Sequence, residues 1–237
     1  MRKTKIVCTI GPATDKENIM RELMVSGMNV ARFNFSHGDY ETHKKRFDMV
    51  AKLRTELGLP IATLMDTKGP EIRLGKFVDN KPVEIHDGDT YVLTTRDILC
   101  TNEVGSITFK NLPRDIGIGT KILINDGVIE LVAENITATD ISCRIIHGGT
   151  LSNNKGINVP GVRLSMPYLS DADMNDLEFA SKIGFDFIAA SFVRSSADIN
   201  YLRKFTQSLG WSNVRIIAKI ENSDGVENID EILEASD

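Results

Sequence analysis

The sequence predicts an α/β fold, and three observations carry that prediction. Residues 1–69 and 169–237 alternate short β-rich runs with amphipathic helical runs, at roughly 25 to 35 residues per unit, the rhythm of parallel strands joined by helices. Residues 70–168 lose this rhythm and show short alternating strands separated by Gly, Asp and Asn turns. Charged residues also collect where the βα strands end, which is where barrel folds carry their working groups. The predicted class is therefore a partial (β/α)8 TIM-type barrel of about five βα units, with an inserted all-β lid domain at 70–168. Five units cannot close an eight-stranded barrel, so an incomplete barrel is expected.

Lys5-Ile6-Val7-Cys8-Thr9-Ile10 reads as a buried strand closed by Gly11-Pro12. The following helix is expected to open on Thr14-x-x-Glu17, which has capping-box spacing, and to place Ile19, Leu23 and Met24 on one face. Asn29–Asn34 is a second strand, and Asp39 caps a helix whose apolar face is Phe47, Val50, Ala51 and Leu57. Ile61–Met65 is a third strand. Turn signals such as Asn125-Asp126-Gly127 punctuate the insertion. Beyond it, Ser170-x-x-Asp173 opens a helix carrying Met174, Leu177, Ala180 and Ile183. Phe187–Ala190 is a fourth strand, and Ile199, Leu202, Phe205 and Leu209 mark the next helix. Val214–Ala218 is a fifth strand, followed by one last helix with Val226, Ile229 and Ile232.

A net charge of −5 over 237 residues leaves no basic stripe for nucleic acid. An anionic substrate must then be held by a local cluster of Arg and Lys. No apolar run is long enough to span a membrane, and the basic N-terminal stretch lacks a signal-peptide core. Cys8, Cys100 and Cys143 are odd in number and without a CxxC pair, which suits a reducing cytoplasm and gives no zinc site.

Four strand ends carry charge: Arg32–Gly38, Asp66–Arg73, Ser191–Arg194 and Lys219–Asn222. Arg32, Arg73, Arg194 and Lys219 supply cations able to hold phosphoryl oxygens. Glu221 lies two residues beyond Lys219, so an extended segment points both to one side, where a carboxylate could hold Mg²⁺ beside an ammonium. A Lys–Glu pair in the barrel core is the plainer alternative. His43 is expected to be solvated on its amphipathic helix, and His86 and His147 sit beside turns.

Five strings, in order, resemble the pyruvate kinase family: Thr9-Ile10-Gly11-Pro12-Ala13-Thr14, Arg32-Phe33-Asn34-Phe35-Ser36-His37-Gly38, Asp66-Thr67-Lys68-Gly69-Pro70-Glu71-Ile72-Arg73, Asn154-Lys155-Gly156-Ile157-Asn158-Val159-Pro160 and Ala218-Lys219-Ile220-Glu221-Asn222. The resemblance implies phosphoryl transfer from phosphoenolpyruvate to ADP, giving pyruvate and ATP, with Mg²⁺ (or Mn²⁺) and K⁺. It casts Lys219 as the lysine stabilising the transferring phosphoryl group and the enolate, and Arg32 as the holder of the substrate phosphate. Glu221 becomes a ligand of the divalent metal. Asn34, Ser36, Asp66 and Thr67 become the K⁺ site, hard oxygens for a hard cation. His37, Arg73 and Lys155 become nucleotide-side contacts, and Glu71 is similar to the glutamate of K⁺-dependent members. The family's second metal carboxylate follows a sixth strand that has no counterpart here. The resemblance therefore implies a fragment that is inactive alone, taken from a cytoplasmic homotetramer, with an open sheet edge that invites self-association. Two other readings remain: a truncated nucleotide- or partner-binding module without catalysis, and a metal-dependent aldolase or lyase, which leaves the β-rich insertion unexplained.

Overall fold

The computed structural model describes residues 3–237. The chain forms two compact units, one from the residues up to Pro70 together with Tyr168–Asp237, the other from Glu71–Pro167.

The first unit is built on five parallel strands: β1 (Val7–Thr9), β2 (Val30–Asn34), β3 (Ala62–Asp66), β4 (Phe187–Ala190) and β5 (Arg215–Ala218). They stand side by side in sequence order. Helices α1 (Glu17–Val25), α2 (Tyr40–Leu57), α3 (Asp171–Ile183) and α4 (Ser196–Ser208) lie in the connections, and α5 (Ser223–Glu227) and α6 (Ile229–Ala235) follow β5. In β2 the residues alternate: Ala31 and Phe33 are buried while Val30, Arg32 and Asn34 are half-buried. One face of the strand is thus given to the core and the other is free to carry polar groups. Phe33 meets Phe47 of α2 and Phe185 at centroid distances of 6.3 and 5.1 Å. Met20, Met24, Val50, Leu53, Met65, Leu177, Ile188 and Ile216 complete the same core.

Local signals explain two of the helix starts. Asp39 accepts a bond from the Thr42 N–H at 2.8 Å, and Gly58 at φ 62° ends α2. Ser170 and Asp173 cap each other reciprocally at the head of α3.

The second unit is a seven-stranded sheet in the order Ile72–Arg73, Gly156–Asn158, Lys121–Ile124, Ile129–Ile136, Asp140–His147, Thr90–Thr94 and Val104–Ser106. Neighbours are antiparallel except the last pair, and Val83–Ile85 with Gly149–Leu151 forms a separate two-stranded ladder. Its core gathers Tyr91, Leu93, Ile122, Leu131 and Ile141. Asn125 and Asp126 adopt φ 56° and Gly127 φ 86° in the turn before Ile129, the left-handed conformation these residue types tolerate best.

The structure departs from the sequence expectations in four places. The insertion is not wholly β: Leu112–Asp115 makes one helical turn around Pro113, and Val78–Asn80 a 3₁₀ turn. Thr14 caps a 3₁₀ turn rather than α1, bonding the Gly11 N–H and carbonyl, while α1 begins after Lys16 without a side-chain cap. Strand β1 is exposed at Val7, because it stands at the sheet edge and has one neighbour. The final helix is two, broken at Asn228, with Ile232 buried and Val226 63% exposed.

Candidate functional site

Parallel register brings the strand ends level. Thr9 pairs with Arg32, Asn34 with Asp66, Asp66 with Ala189 and Ala190 with Ala218. The next residues on each strand, Thr67, Ser191 and Lys219, therefore leave the sheet from one end.

Asp66 is the hub of what they form. Its side chain is 3% exposed and holds two cations. Arg32 Nε donates to Oδ2 at 2.7 Å, with NH2 2.5 Å from the same oxygen, while Lys219 Nζ donates to Oδ1 at 2.9 Å. Arg32 also reaches Thr9 Oγ1 at 2.7 Å. Lys219 donates further to Ser191 Oγ at 3.0 Å and stands 3.3 Å from Glu221 Oε1. Ser191 is itself placed by its hydroxyl on the Thr67 carbonyl at 2.6 Å and its N–H on Thr67 Oγ1 at 3.1 Å. The other Glu221 oxygen accepts the Phe192 N–H at 3.0 Å. Phe192 has φ 54°, a left-handed conformation that costs a bulky residue about 1 kcal/mol or more and persists only where its surroundings hold it. Arg32, Lys219 and Glu221 each keep roughly a third of their side chain exposed. Two anchored cations and a carboxylate facing solvent suit an anion that carries phosphoryl oxygens.

Comparison with known proteins now decides the family. The sequence pattern of the pyruvate kinase barrel domain matches residues 1–237. The chain belongs to the pyruvate kinase family. It is 45% identical to the pyruvate kinase of Staphylococcus saprophyticus and 44% identical to those of Geobacillus stearothermophilus and Staphylococcus aureus strain MRSA252, in each case over 100% of this chain. It spans 41%, 40% and 40% of those three relatives.

Within the family frame, the oxygens considered for K⁺ lie at the ends of β2 and β3. Asn34 and Asp66 are register partners, the Phe35 N–H donates to the Asp66 carbonyl at 3.0 Å, and Asn34 Oδ1 accepts the Ser36 N–H at 3.0 Å. Thr67 follows directly on β3 and is buried. The chemistry of this donor set, neutral amide and hydroxyl oxygens with one carboxylate, fits a monovalent hard cation. For a divalent cation Glu221 offers one partly exposed carboxylate. Among the described residues no group of three or more His, Cys, Asp and Glu side chains gathers to hold a metal. His37 is exposed at the loop after β2. Arg73 and Lys155 belong to the second unit, where Arg73 pairs with Gly156, donates to the Asn154 carbonyl at 2.8 Å and is salt-bridged to Glu71. The Lys155 carbonyl accepts the Leu74 N–H at 2.9 Å.

Two sequence expectations need correction. Arg194 does not join the anion-holding cations: its Nε and NH2 donate to Asp198 at 3.0 Å each, and its guanidinium lies 5.9 Å from the Tyr168 ring centre. An acid four residues on at a helix start engages it locally. His43 is not solvated but 3% exposed, stacked on Phe35 at 4.3 Å, and its ring is held below the ordinary pKa chiefly by burial. Ser191 and Thr9 were missed as partners of Lys219 and Arg32. Ser191 lies in a strand-end string with a single charge, Arg194, and its signal is its place one residue past β4, level with Lys219.

Proposed function

We propose that the chain carries the centre that moves the phosphoryl group of phosphoenolpyruvate to ADP, with release of pyruvate and ATP, as in the glycolytic enzyme whose name its relatives bear. The observation that carries the reading is the Lys219 ammonium, held between Asp66 and Glu221 with Arg32 anchored on the far oxygen of the same Asp66. Arg32 binds the phosphate of the substrate and, tied to Asp66 and Thr9, fixes its orientation. Lys219, oriented by Ser191, stands where negative charge grows on the transferring group and on the enolate oxygen left behind, and its preset position spares reorganisation during the reaction. Glu221 would hold Mg²⁺ (or Mn²⁺), and Asn34, Ser36, Asp66 and Thr67 would hold K⁺; when bound, these ions supply charge neutralisation around the phosphate. His37, Arg73 and Lys155 would contact the nucleotide, and residues 70–168 would be an inserted β domain. Glu221 is a single carboxylate for a divalent ion that needs near-octahedral oxygens, so residues 1–237 alone do not turn over. The intact protein is assigned to the cytoplasm as a homotetramer.

Coupling pyruvate formation to lactate dehydrogenase tests the reading in the intact protein. Lys219→Met is expected to abolish phosphoryl transfer while circular dichroism stays that of the wild type. Retained turnover in that variant would overturn the assignment, and robust turnover by the 237-residue chain would overturn the claim that these residues alone do not turn over.

A further inference from the structure

The loop from Phe35 to Asp39 leads from β2 into α2 and carries the exposed His37. Its backbone is wound tightly: the Ser36 N–H donates to Asn34 Oδ1 at 3.0 Å, the His37 N–H to the Asn34 carbonyl at 3.3 Å, and Gly38 takes φ 84°. One more bond reaches the loop from the helix. His43 Nε2 lies 2.9 Å from the His37 carbonyl. A carbonyl can only accept, so Nε2 carries the proton.

The rest of the His43 ring makes this bond informative. The imidazole stacks on Phe35 with an interplanar angle of 8° and lies tilted against Phe33 at 6.3 Å. Its Nδ1 is buried with no hydrogen-bond partner. Stranding an acceptor in this way costs about 1 to 3 kcal/mol. A phenylalanine would fill the slot and stack as well without that cost. What imidazole adds is an N–H directed at the His37 carbonyl. Gly38 supplies the positive φ of 84° that the turn needs, a conformation in which a side chain would be strained.

We propose that His43 is a positioning residue for the nucleoside diphosphate, acting through the His37 carbonyl to fix the loop that presents His37. This rests on the reading of His37 as a nucleotide contact.

Two variants separate the hydrogen bond from the packing. His43→Phe keeps a stacked ring and removes the donor; His43→Gln keeps an amide N–H in reach of the same carbonyl. In the intact protein with Mg²⁺ and K⁺, calorimetric affinity for ADP is expected to fall about tenfold in His43→Phe, the size of one lost hydrogen bond, and to recover in His43→Gln. The KM for phosphoenolpyruvate should stay that of the wild type. Hydrogen exchange at the Ser36 and His37 amides should quicken in His43→Phe and return to the wild-type rate in His43→Gln. Unchanged ADP affinity and exchange in His43→Phe would overturn the proposal. If the wild type binds no ADP, the nucleotide reading fails, and the amide exchange alone decides whether His43 holds the loop. Nitrogen-15 shifts of the wild-type ring give a check that needs no variant: the Nδ1–H tautomer at His43 would also overturn it.

Discussion

Removing the carboxylate of Asp66 tests the logic of the whole cluster. In Asp66→Ala, Arg32 and Lys219 lose the acceptor both share, and two like charges are left facing the same vacated space. Stripping one partner from a fully buried ion pair costs about 3 to 5 kcal/mol. Here the two cations keep 32% and 27% of their side-chain exposure, so water recovers part of that loss, and a destabilisation of about 2 to 3 kcal/mol is expected. Asp66→Asn keeps the shape and one acceptor oxygen and should lose less. Two compact units can unfold separately, so the probe must belong to one of them. Trp211, the single tryptophan, is buried in the unit that holds Asp66, and its fluorescence during urea unfolding reports that unit alone. Urea also leaves the charges unscreened, which a guanidinium salt would not. A value for Asp66→Ala within about 0.5 kcal/mol of the wild type, the range of an ordinary surface change, would refute the view of Asp66 as the anchor of both cations.

Two other changes follow from the structure. Gly69 has φ 71°, and a Cβ there would stand 2.9 Å from both the Cβ and the carbonyl oxygen of Ser191; Gly69→Ala should therefore cost about 2 kcal/mol on the Trp211 probe, as a substitution strained at positive φ, and, on the proposed function, should lower the rate of the lactate-dehydrogenase-coupled assay by displacing the serine bonded to Lys219. The Asp237 carboxylate accepts the Ile216 N–H at 3.0 Å and meets Arg215 and Arg203, which together hold its pKa down at about 2. It is more acidic folded than unfolded, so its contribution is complete above about pH 4 and is lost as pH falls through about 2. Urea midpoints between pH 5 and pH 2 should decline more steeply for the wild type than for Asp237→Asn, and parallel declines would refute the assignment.

What was legible in the sequence was whatever local chemistry decides. The apolar run Phe187–Ala190 forms a strand over those residues, and Ser170 with Asp173 caps a helix as its spacing implies. The two-residue spacing of Lys219 and Glu221 placed both on one side of an extended segment, 3.3 Å apart. What stayed hidden depended on partners distant in sequence. In sequence Arg194 is like any other strand-end cation, and only the folded geometry sets its guanidinium on Asp198. His43 sits among charged helix neighbours, so nothing local announced that Phe35 covers its ring. The pairing of Asn34 with Asp66 is a matter of register between strands far apart in the chain. Thr14 and Glu17 had the right spacing for a box, but the chain spends Thr14 on the turn before the helix.

The Asp66 cluster has a further consequence when its formal charges are counted. Arg32 and Lys219 stand against Asp66 and Glu221, so the site is electroneutral before any ligand arrives. An anion bearing both a phosphate and a carboxylate would by itself leave an uncompensated negative charge in a partly desolvated place, and the divalent and monovalent cations by themselves an uncompensated positive one. Admitted together they bring the site back towards neutrality, so each lowers the electrostatic cost of admitting the others, and by reciprocity any two of them raise each other's affinity by the same factor.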